Sequence, residues 1–333
     1  LIDLLQQSLG LVKVHNVENH TQSGQYRQEK VIEADEETRE WISKRNGLLK
    51  DHWPIYGPMV VPPLEWTPGE RGGYRYALRG QDKLVRGPSE NDQENPVGEV
   101  RDALNTVQET AWMVNLRVLE VLEQVVEAGG DRADVPGMEK VPMPPKPHDI
   151  DENEEARRAW KDAARIRHLR ERERQANAAT FLKTLNVATE LKDEEELYWP
   201  HNLDFRGRVY PQPDTLHPQG PDLHRGLLQF AEGKPLGRDG AMWLAVHGAN
   251  CVGDDPQTGK SLDKAPLQER VDWVVSHTKI IRRAAQEPHV YTWWQDADEP
   301  WQFLAFCYEW DRFAKHRARG KDDADFVSWL PVS

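Results

Sequence analysis

The middle of the chain has the clearest periodic pattern of apolar and polar positions. From Val97 to Glu127, apolar residues recur at intervals of three and four, which predicts one long amphipathic helix that ends at Gly129-Gly130. Residues 131–147 are rich in proline and predict a crossing without regular structure. A second helix, continuous or with a break, is predicted from about Ile150 to Leu191. Two long antiparallel helices joined in this way would form an α-helical hairpin.

The N-terminal residues predict the end of a helix followed by a β-hairpin. Strands at Leu11 to Val14 and Lys30 to Ile32 flank the polar stretch 16–28, which predicts a long polar tip. Residues 35–48 predict a further helix. Residues 51–88, rich in proline, glycine and aromatic side chains, predict irregular structure packed on a neighbouring domain.

The C-terminal third predicts a helical unit with many aromatic side chains. Helices are expected over 240–250, over 267–285 and from Phe303 to Trp310. His247 lies in the first of them, and a single histidine in an apolar helix is more often a hydrogen-bonded core residue than a catalytic base. The tryptophans near 291–301 could stack on bases, but packing is the favoured interpretation.

Charge is unevenly distributed along the chain. The 333 residues include 43 basic and 56 acidic side chains, a net charge of −13, which disfavours long-range attraction to a polyanion. Positive charge is gathered locally between Arg157 and Arg174, where eight basic residues face three acidic ones, a local charge of +5. Interleaved Glu171 and Glu173 allow a second interpretation, a solvated helix with i,i+4 ion pairs.

Other features limit the class of protein. The two cysteines, Cys251 and Cys307, indicate packed thiols in a reducing compartment rather than a disulfide or a metal site. No stretch approaches the ~18 apolar residues of a membrane span. The chain starts at Leu1 without a methionine, so we expect a piece of a longer protein.

The stretch from His201 to Pro211 carries the most distinctive chemistry. If it were extended, its alternate side chains would share one face; these are Asp204, Arg206, Arg208 and Tyr210. Arginine suits phosphate because its guanidinium donates two parallel hydrogen bonds, and Asp204 could hold one such fork in place. Gly207 would allow close approach of a partner, and Tyr210 could stack on a base. A purely structural Asp–Arg salt bridge is the alternative.

The sequence around this stretch resembles that of the single-subunit RNA polymerases of bacteriophages and mitochondria. The block contains a D-x-x-G-R motif (Asp204 to Arg208), then Pro218-Gln219-Gly220, then the run from Gly226 to Gly237 that reads GLLQFAEGKPLG. The similarity continues at Val246 to Cys251 and at Phe303 to Glu309, so that it covers nearly the whole chain. One departure is Phe205, where a tryptophan is common in phage members.

The resemblance implies a fold that is mixed α/β but mostly α-helical. It implies a domain order of five parts: the end of an N-terminal domain (1–90), a helical thumb (91–196), a first palm segment (197–237), a helical palm insertion (238–320) and the start of the catalytic palm strand (321–333). It further implies that the hairpin near residues 16–28 separates DNA strands, with Val17 or Tyr26 as a wedge. An exposed hairpin without a role is the alternative.

The resemblance also implies the chemistry. The family transfers nucleotidyl groups with two Mg²⁺ ions held by aspartates, the first of which is expected just after Ser333. No catalytic residue or metal ligand is therefore expected within this chain, and Asp204 would not be one. The chain alone should be inactive.

The implied nucleic-acid contacts come from two places. The palm entry contributes Asp204, Phe205, Arg206, Gly207, Arg208 and Tyr210. The thumb contributes Arg167, Arg170, Arg172 and Arg174.

The implied partners are a DNA template with its promoter, the nascent RNA of an RNA–DNA hybrid and ribonucleoside triphosphates, with no membrane and a monomeric polymerase. The cytoplasm of a phage-infected bacterium is expected rather than a mitochondrion. Two alternatives stay open: a non-catalytic nucleic-acid-binding or regulatory protein of the same fold, and a DNA polymerase of the related superfamily.

Overall fold

The computed structural model describes residues 12–20, 26–34, 56–76, 83–86, 98–255 and 257–332. The chain forms two compact units, Leu1–His52 and Trp53–Ser333. In the first unit, β1 (Val12–His20) pairs antiparallel with β2 (Tyr26–Ala34), and Val14 lies opposite Ile32. The predicted hairpin is confirmed, but its strands extend well into the stretch that was expected to be a polar tip. The helices predicted before it and over 35–48 lie outside the described residues.

About half of the described residues of the second unit are helical and its strands are few and short, which agrees with a mixed α/β fold rich in helix. Its elements, in chain order, are α1 (Gly98–Glu109), β3 (Trp112–Val114), α2 (Leu116–Glu127), α3 (Glu154–Glu190), β4 (His201–Leu203), β5 (Val209–Pro211), α4 (Asp222–Gly226), β6 (Leu228–Phe230), β7 (Lys234–Pro235), α5 (Gly237–Val252), α6 (Leu267–Gln286), α7 (Pro300–Ala318) and β8 (Val327–Ser328). Short 3₁₀ turns occupy Thr292–Asp296 and Asp323–Asp325. The described residues of 51–88 are irregular, as expected.

The single long helix predicted over 97–127 is wrong, because β3 interrupts it. Trp112 pairs with Phe230 of β6, and the Trp112 and Leu197 backbones exchange hydrogen bonds of 2.9 and 2.6 Å. Asn115 then caps α2 by accepting a hydrogen bond from the Val118 amide. The partners of β3 lie more than 80 residues away in sequence, so a local periodicity could not reveal them.

Of the two long helices predicted to pair, the structure contains the second, and a different segment packs against it. α3 is continuous over 37 residues and begins at Asn153, whose side chain accepts hydrogen bonds from the amides of Glu155 and Ala156. Its partner is not a helix but an extended segment, residues 137–147, here called the strap. The strap contains four prolines, which disfavour helix. We call the strap and α3 together the arm.

The aromatic residues of the C-terminal third form the core around α5, α6 and α7. Trp294, Trp301, Phe303 and Phe306 are each essentially inaccessible to solvent, which confirms that these tryptophans pack. His247 is buried, with its Nε2 3.6 Å from the Sγ of Cys251. Both cysteines are buried free thiols whose pKa is raised by burial, as the sequence predicted.

Candidate nucleic-acid interface

The D-x-x-G-R segment forms the tight turn of the β4–β5 hairpin. The Asp204 amide donates to the Arg208 carbonyl (2.9 Å) and the Gly207 amide donates to the Asp204 carbonyl (3.0 Å). Gly207 has a φ of +78°, a conformation that other L-residues adopt only with strain. The prediction that 204–210 is extended, with alternate side chains on one face, is therefore wrong. The glycine is required by the backbone of the turn.

The carboxylate of Asp204 is used inside this turn. Its Oδ1 accepts hydrogen bonds from the backbone amides of Arg208 and Arg206, both at 2.9 Å. These bonds, that from Arg208 first, hold the pKa of Asp204 below its usual value. The idea that Asp204 grips an arginine side chain is corrected: it fixes the backbone of the turn instead, as aspartate commonly does.

The tip of the turn presents its cations to solvent. Phe205, Arg206, Gly207 and Arg208 are all exposed, Phe205 at 73%. The Arg206 guanidinium carbon lies 4.9 Å from the centre of the Phe205 ring. Among the described residues, neither Arg206 nor Arg208 forms a side-chain ion pair. Two arginines beside an exposed ring are suited to phosphate and base contact.

Tyr210 is accompanied by an arginine that sequence reasoning missed. Residues 83–86 run beside β4, where the Arg86 amide donates to the Leu203 carbonyl at 2.8 Å. The Arg86 side chain donates to Asn202 Oδ1 (2.7 Å) and to the Pro211 carbonyl (2.9 Å), and its guanidinium carbon lies 5.6 Å from the Tyr210 ring centre. Arg86 belongs to a region that looked irregular, and no motif marks it. Tyr210 itself is partly exposed.

The base of the hairpin is fixed by buried contacts. The Trp66 indole donates to the His201 carbonyl at 2.9 Å, and Trp66 packs in a small core with Leu84, Leu104 and Leu203. Burial lowers the pKa of His201 to about 4, so this side chain is neutral at pH 7. A rigid base below an exposed tip holds the cations in a defined place.

The four arm arginines differ in their availability. Arg174 donates to both carboxylate oxygens of Glu171 (2.8 and 3.1 Å) and to the Gly137 carbonyl of the strap (3.0 Å). Glu171 is buried and also accepts a hydrogen bond from the Val141 amide of the strap (3.0 Å). The hydrogen bond from Arg174, followed by that from Val141, lowers the pKa of Glu171 to about 2.

Arg167 is likewise turned toward the strap, where its Nε donates to the Val141 carbonyl at 2.8 Å. Arg170 and Arg172, by contrast, are exposed and make no hydrogen bond or ion pair with any described residue. The expected stripe of Arg167, Arg170 and Arg174 is corrected, because its outer two members tie the strap to α3. Phosphate contact by Arg170 and Arg172 stays a prediction.

The solvated-helix interpretation holds for part of α3. Arg158 pairs with Glu154 (2.7 Å) and Arg165 lies 3.9 Å from Asp162, with all four side chains at least 70% exposed. Such pairs contribute little to stability.

Within the described residues, no group of three or more histidine, cysteine, aspartate or glutamate side chains has an arrangement that could hold a metal ion. The carboxylate of Asp204, which the resemblance does not predict to be a metal ligand, accepts hydrogen bonds from two backbone amides. The described residues therefore do not fit a magnesium site. No helix in the described parts of the chain is both long enough and apolar enough to span a bilayer.

Comparison with known proteins identifies relatives along nearly the whole chain. A profile of the DNA-dependent RNA polymerase family matches residues 234–333. The DNA-directed RNA polymerase of Enterobacteria phage T3 is 35% identical over 95% of the chain, and T7 RNA polymerase of Escherichia phage T7 is 36% identical over 95%. The DNA-directed RNA polymerase 2, chloroplastic/mitochondrial, of Arabidopsis thaliana is 36% identical over 83% of the chain.

The chain spans only part of these relatives, namely 35% of each of the two phage proteins and 27% of the plant protein. The similarity includes the β4–β5 hairpin, the arm and the aromatic core. Over nearly its whole length, therefore, the chain is similar to DNA-directed RNA polymerases of the phage type.

Proposed function

We propose that this chain provides the thumb and the first palm segment of a DNA-directed RNA polymerase that synthesises RNA on a DNA template. The observation that carries the proposal is the similarity over 95% of the chain to two phage RNA polymerases, combined with a hairpin that holds two arginines exposed above a rigid base. The phage relatives match more of the chain than the organellar ones, which favours a phage polymerase acting in the cytoplasm of an infected bacterium.

In this proposal the β4–β5 turn contacts the template or the RNA–DNA hybrid near the reaction centre. Arg206 and Arg208 donate to phosphate oxygens, and Phe205 and Tyr210 offer ring surface to bases or sugars. Asp204 and Gly207 act indirectly, since the first fixes the turn by two amide bonds and the second supplies its positive φ.

In this proposal the arm corresponds to the thumb of the polymerase. Arg170 and Arg172 contact the backbone of the hybrid, while Arg167 and Arg174 keep the strap on α3. A long helix stiffened by a second segment is suited to reach across a duplex without bending. Ordering the arm in the free protein also reduces the entropy lost when nucleic acid binds.

The nucleotidyl transfer itself requires groups from elsewhere in the polymerase. When bound, two Mg²⁺ ions would stabilise the attacking and leaving oxygens of the ribonucleoside triphosphate reaction. This chain contributes the positioning of template and hybrid, and we expect it to synthesise no RNA by itself.

The test measures, by fluorescence anisotropy, how tightly the chain binds an RNA–DNA hybrid. Arg208→Ala is expected to weaken binding at least several-fold and to reduce its salt dependence by about one phosphate contact. Lys264→Ala, which removes an equally exposed cation from the loop before α6, is the matched control. Equal affinities of Arg208→Ala and wild type would contradict the proposed contact.

In the complete polymerase, the same Arg208→Ala change is expected to give unstable early transcription complexes while the fold is retained. The ratio of short released transcripts to full-length RNA reports this directly. Wild-type-like elongation by the variant would count against the assignment.

A further inference from the structure

A second group of cations lies at the C-terminal end of α7, outside the residues assigned above. Two cavities share Arg312 in their walls. The first, of about 250 Å³, lies between the start of α2, β6 and α7, and its lining includes Arg117, Gln229, Tyr308, Glu309, Arg312 and Trp329. The second, of about 360 Å³, is open to solvent and is lined by Arg312, Lys315, His316, Arg319, Lys321 and Asp325. We call the basic residues of both cavities, which are Arg117, Arg312, Lys315, Arg319 and Lys321, the cation track.

Aromatic rings hold the two arginines of the track. The Arg117 guanidinium carbon lies 3.7 Å from the centre of the Tyr308 ring. That of Arg312 lies 4.8 Å from the Trp329 ring centre and 5.2 Å from that of Phe326. Stacking of this kind covers the flat face of a guanidinium and leaves N–H groups at its edge for a phosphate.

Two acids that pair with cations of the track are buried, and one of them, Glu309, lies in the wall of the first cavity. Asp311, with a side chain only 4% exposed, pairs with both Arg282 (2.9 Å) and Lys315 (2.5 Å), so one buried carboxylate serves two cations. Glu309, also buried, pairs with Arg312. The cationic partners are between 38% and 54% exposed, which places positive charge at the surface and negative charge beneath it.

The open end of the track is its most available part. Arg319 and Lys321 are exposed, and neither forms an ion pair with any of the described residues. Two nearby acids are already engaged: Asp323 pairs with Arg317 (3.1 Å) and Asp322 accepts the Ala324 amide. Asp325 is the acid that lines this cavity.

We propose that the cation track binds the phosphate backbone of one unpaired nucleic-acid strand, either RNA or DNA. Alternating cations and rings suit a single strand, and a duplex is too wide to enter either cavity. The site rests on the proposed polymerase function and extends it, because it adds a path for a single strand that leads to Leu330, beside β8. It uses none of the hairpin or arm residues.

The experiment measures anisotropy of fluorescein-labelled single strands of about 12 nucleotides, one RNA and one DNA, with the whole chain. Arg319→Ala combined with Lys321→Ala is expected to weaken binding roughly fivefold or more and to lower the slope of log affinity against log salt by about 1.4, or 0.7 for each lost contact. Lys192→Ala combined with Lys264→Ala removes the same charge from exposed positions elsewhere and should leave both quantities nearly unchanged.

A second variant, Arg117→Gln, tests the enclosed cavity and should also weaken single-strand binding. Tighter binding of RNA than of DNA would assign the track to the transcript, and equal binding would assign it to either strand by charge alone; both support the site. Equal losses in the track and control variants, or no binding by wild type, would overturn it. The hybrid assay with Arg208→Ala is separate, so the track can fail while the polymerase proposal stands.

Discussion

The arm and the β4–β5 hairpin both carry arginines in sequences typical of phosphate binding, yet they use them in different ways. In the arm, Arg167 and Arg174 donate to strap carbonyls, and Glu171 completes the junction. In the hairpin, the turn is closed by backbone amides and the carboxylate of Asp204, so Arg206 and Arg208 stay exposed.

The difference arises from where each region satisfies its polar groups. A tight turn satisfies its own backbone within five residues and has no need of the arginine side chains. The strap is an extended segment that pairs with no described strand, so several of its carbonyls take side-chain donors, and the long arginines of α3 supply them. An arginine is available for a ligand when its neighbours have already met their hydrogen-bonding needs.

The largest expected effect is a loss of stability in mild acid, centred at the base of the β4–β5 hairpin and at the contact between α4 and α3. Burial lowers the pKa of both His201 and His224 to about 4, and Thr184 of α3 contacts His224 at 3.0 Å. The unfolded chain therefore binds more protons than the folded one between about pH 6.5 and pH 4, so stability falls as pH falls through this window. The loss is on the order of 3 kcal/mol for each histidine.

Urea unfolding measured at several pH values checks this expectation. In His224→Gln the dependence on pH should be shallower than in wild type over the same window. A free energy of unfolding that is constant from about pH 6.5 to pH 4 would show that these histidines are not buried and neutral. The carboxylate of Glu171 titrates lower, between about 4.5 and 2, and defines a separate, more acidic step.

The next effect isolates the arm. Glu171→Ala removes the acceptor shared by Arg174, Gln175 and the Val141 amide, and should lower the free energy of unfolding by several times the change expected for the control, because partly buried donors lose their partner. Glu173→Ala, two residues away and exposed, is the control and should change it by less than about 0.5 kcal/mol. Similar values for both variants in chemical denaturation would mean that the strap is not held in this way.

A smaller effect isolates the turn. A methyl group at Gly207 would meet no other atom within 4 Å, so Gly207→Ala tests backbone conformation alone. Because φ is +78°, we expect a loss of about 1 kcal/mol. Gly98→Ala, also in open space but at the start of α1, should be neutral or slightly stabilising by thermal unfolding. A neutral Gly207→Ala would indicate a different turn.

The smallest effect on stability is expected for the exposed arm arginines. Arg170→Ala combined with Arg172→Ala should change the free energy of unfolding by less than about 0.5 kcal/mol while weakening hybrid binding. Arg174→Ala should instead lower the free energy of unfolding, because it loosens the strap, and should leave hybrid binding nearly unchanged. If all of these changes reduced stability equally, the contrast between tethering and available arginines would be lost.

The sequence alone predicted the resemblance to RNA polymerases, the β1–β2 hairpin, a long helix over most of α3 and the packing of the aromatic residues. These follow from motifs of adjacent residues or from periodicities that local backbone geometry imposes. The D-x-x-G-R motif also predicted Arg206 and Arg208 as nucleic-acid-binding residues, and both are exposed.

Three other features could not be predicted from the sequence. β3 breaks the predicted helix because Leu197 and Phe230 supply its hydrogen bonds. Asp204 binds amides rather than guanidinium groups because Gly207 turns the chain back. Arg174 is taken by Glu171 and the strap, 36 and 37 residues earlier in the chain. For β3 and for the strap carbonyls that Arg174 binds, the partner is set by packing between distant segments, and no local pattern of residues contains that information. The partners of Asp204 are local, but they can be identified only when the segment is a turn and not an extended strand.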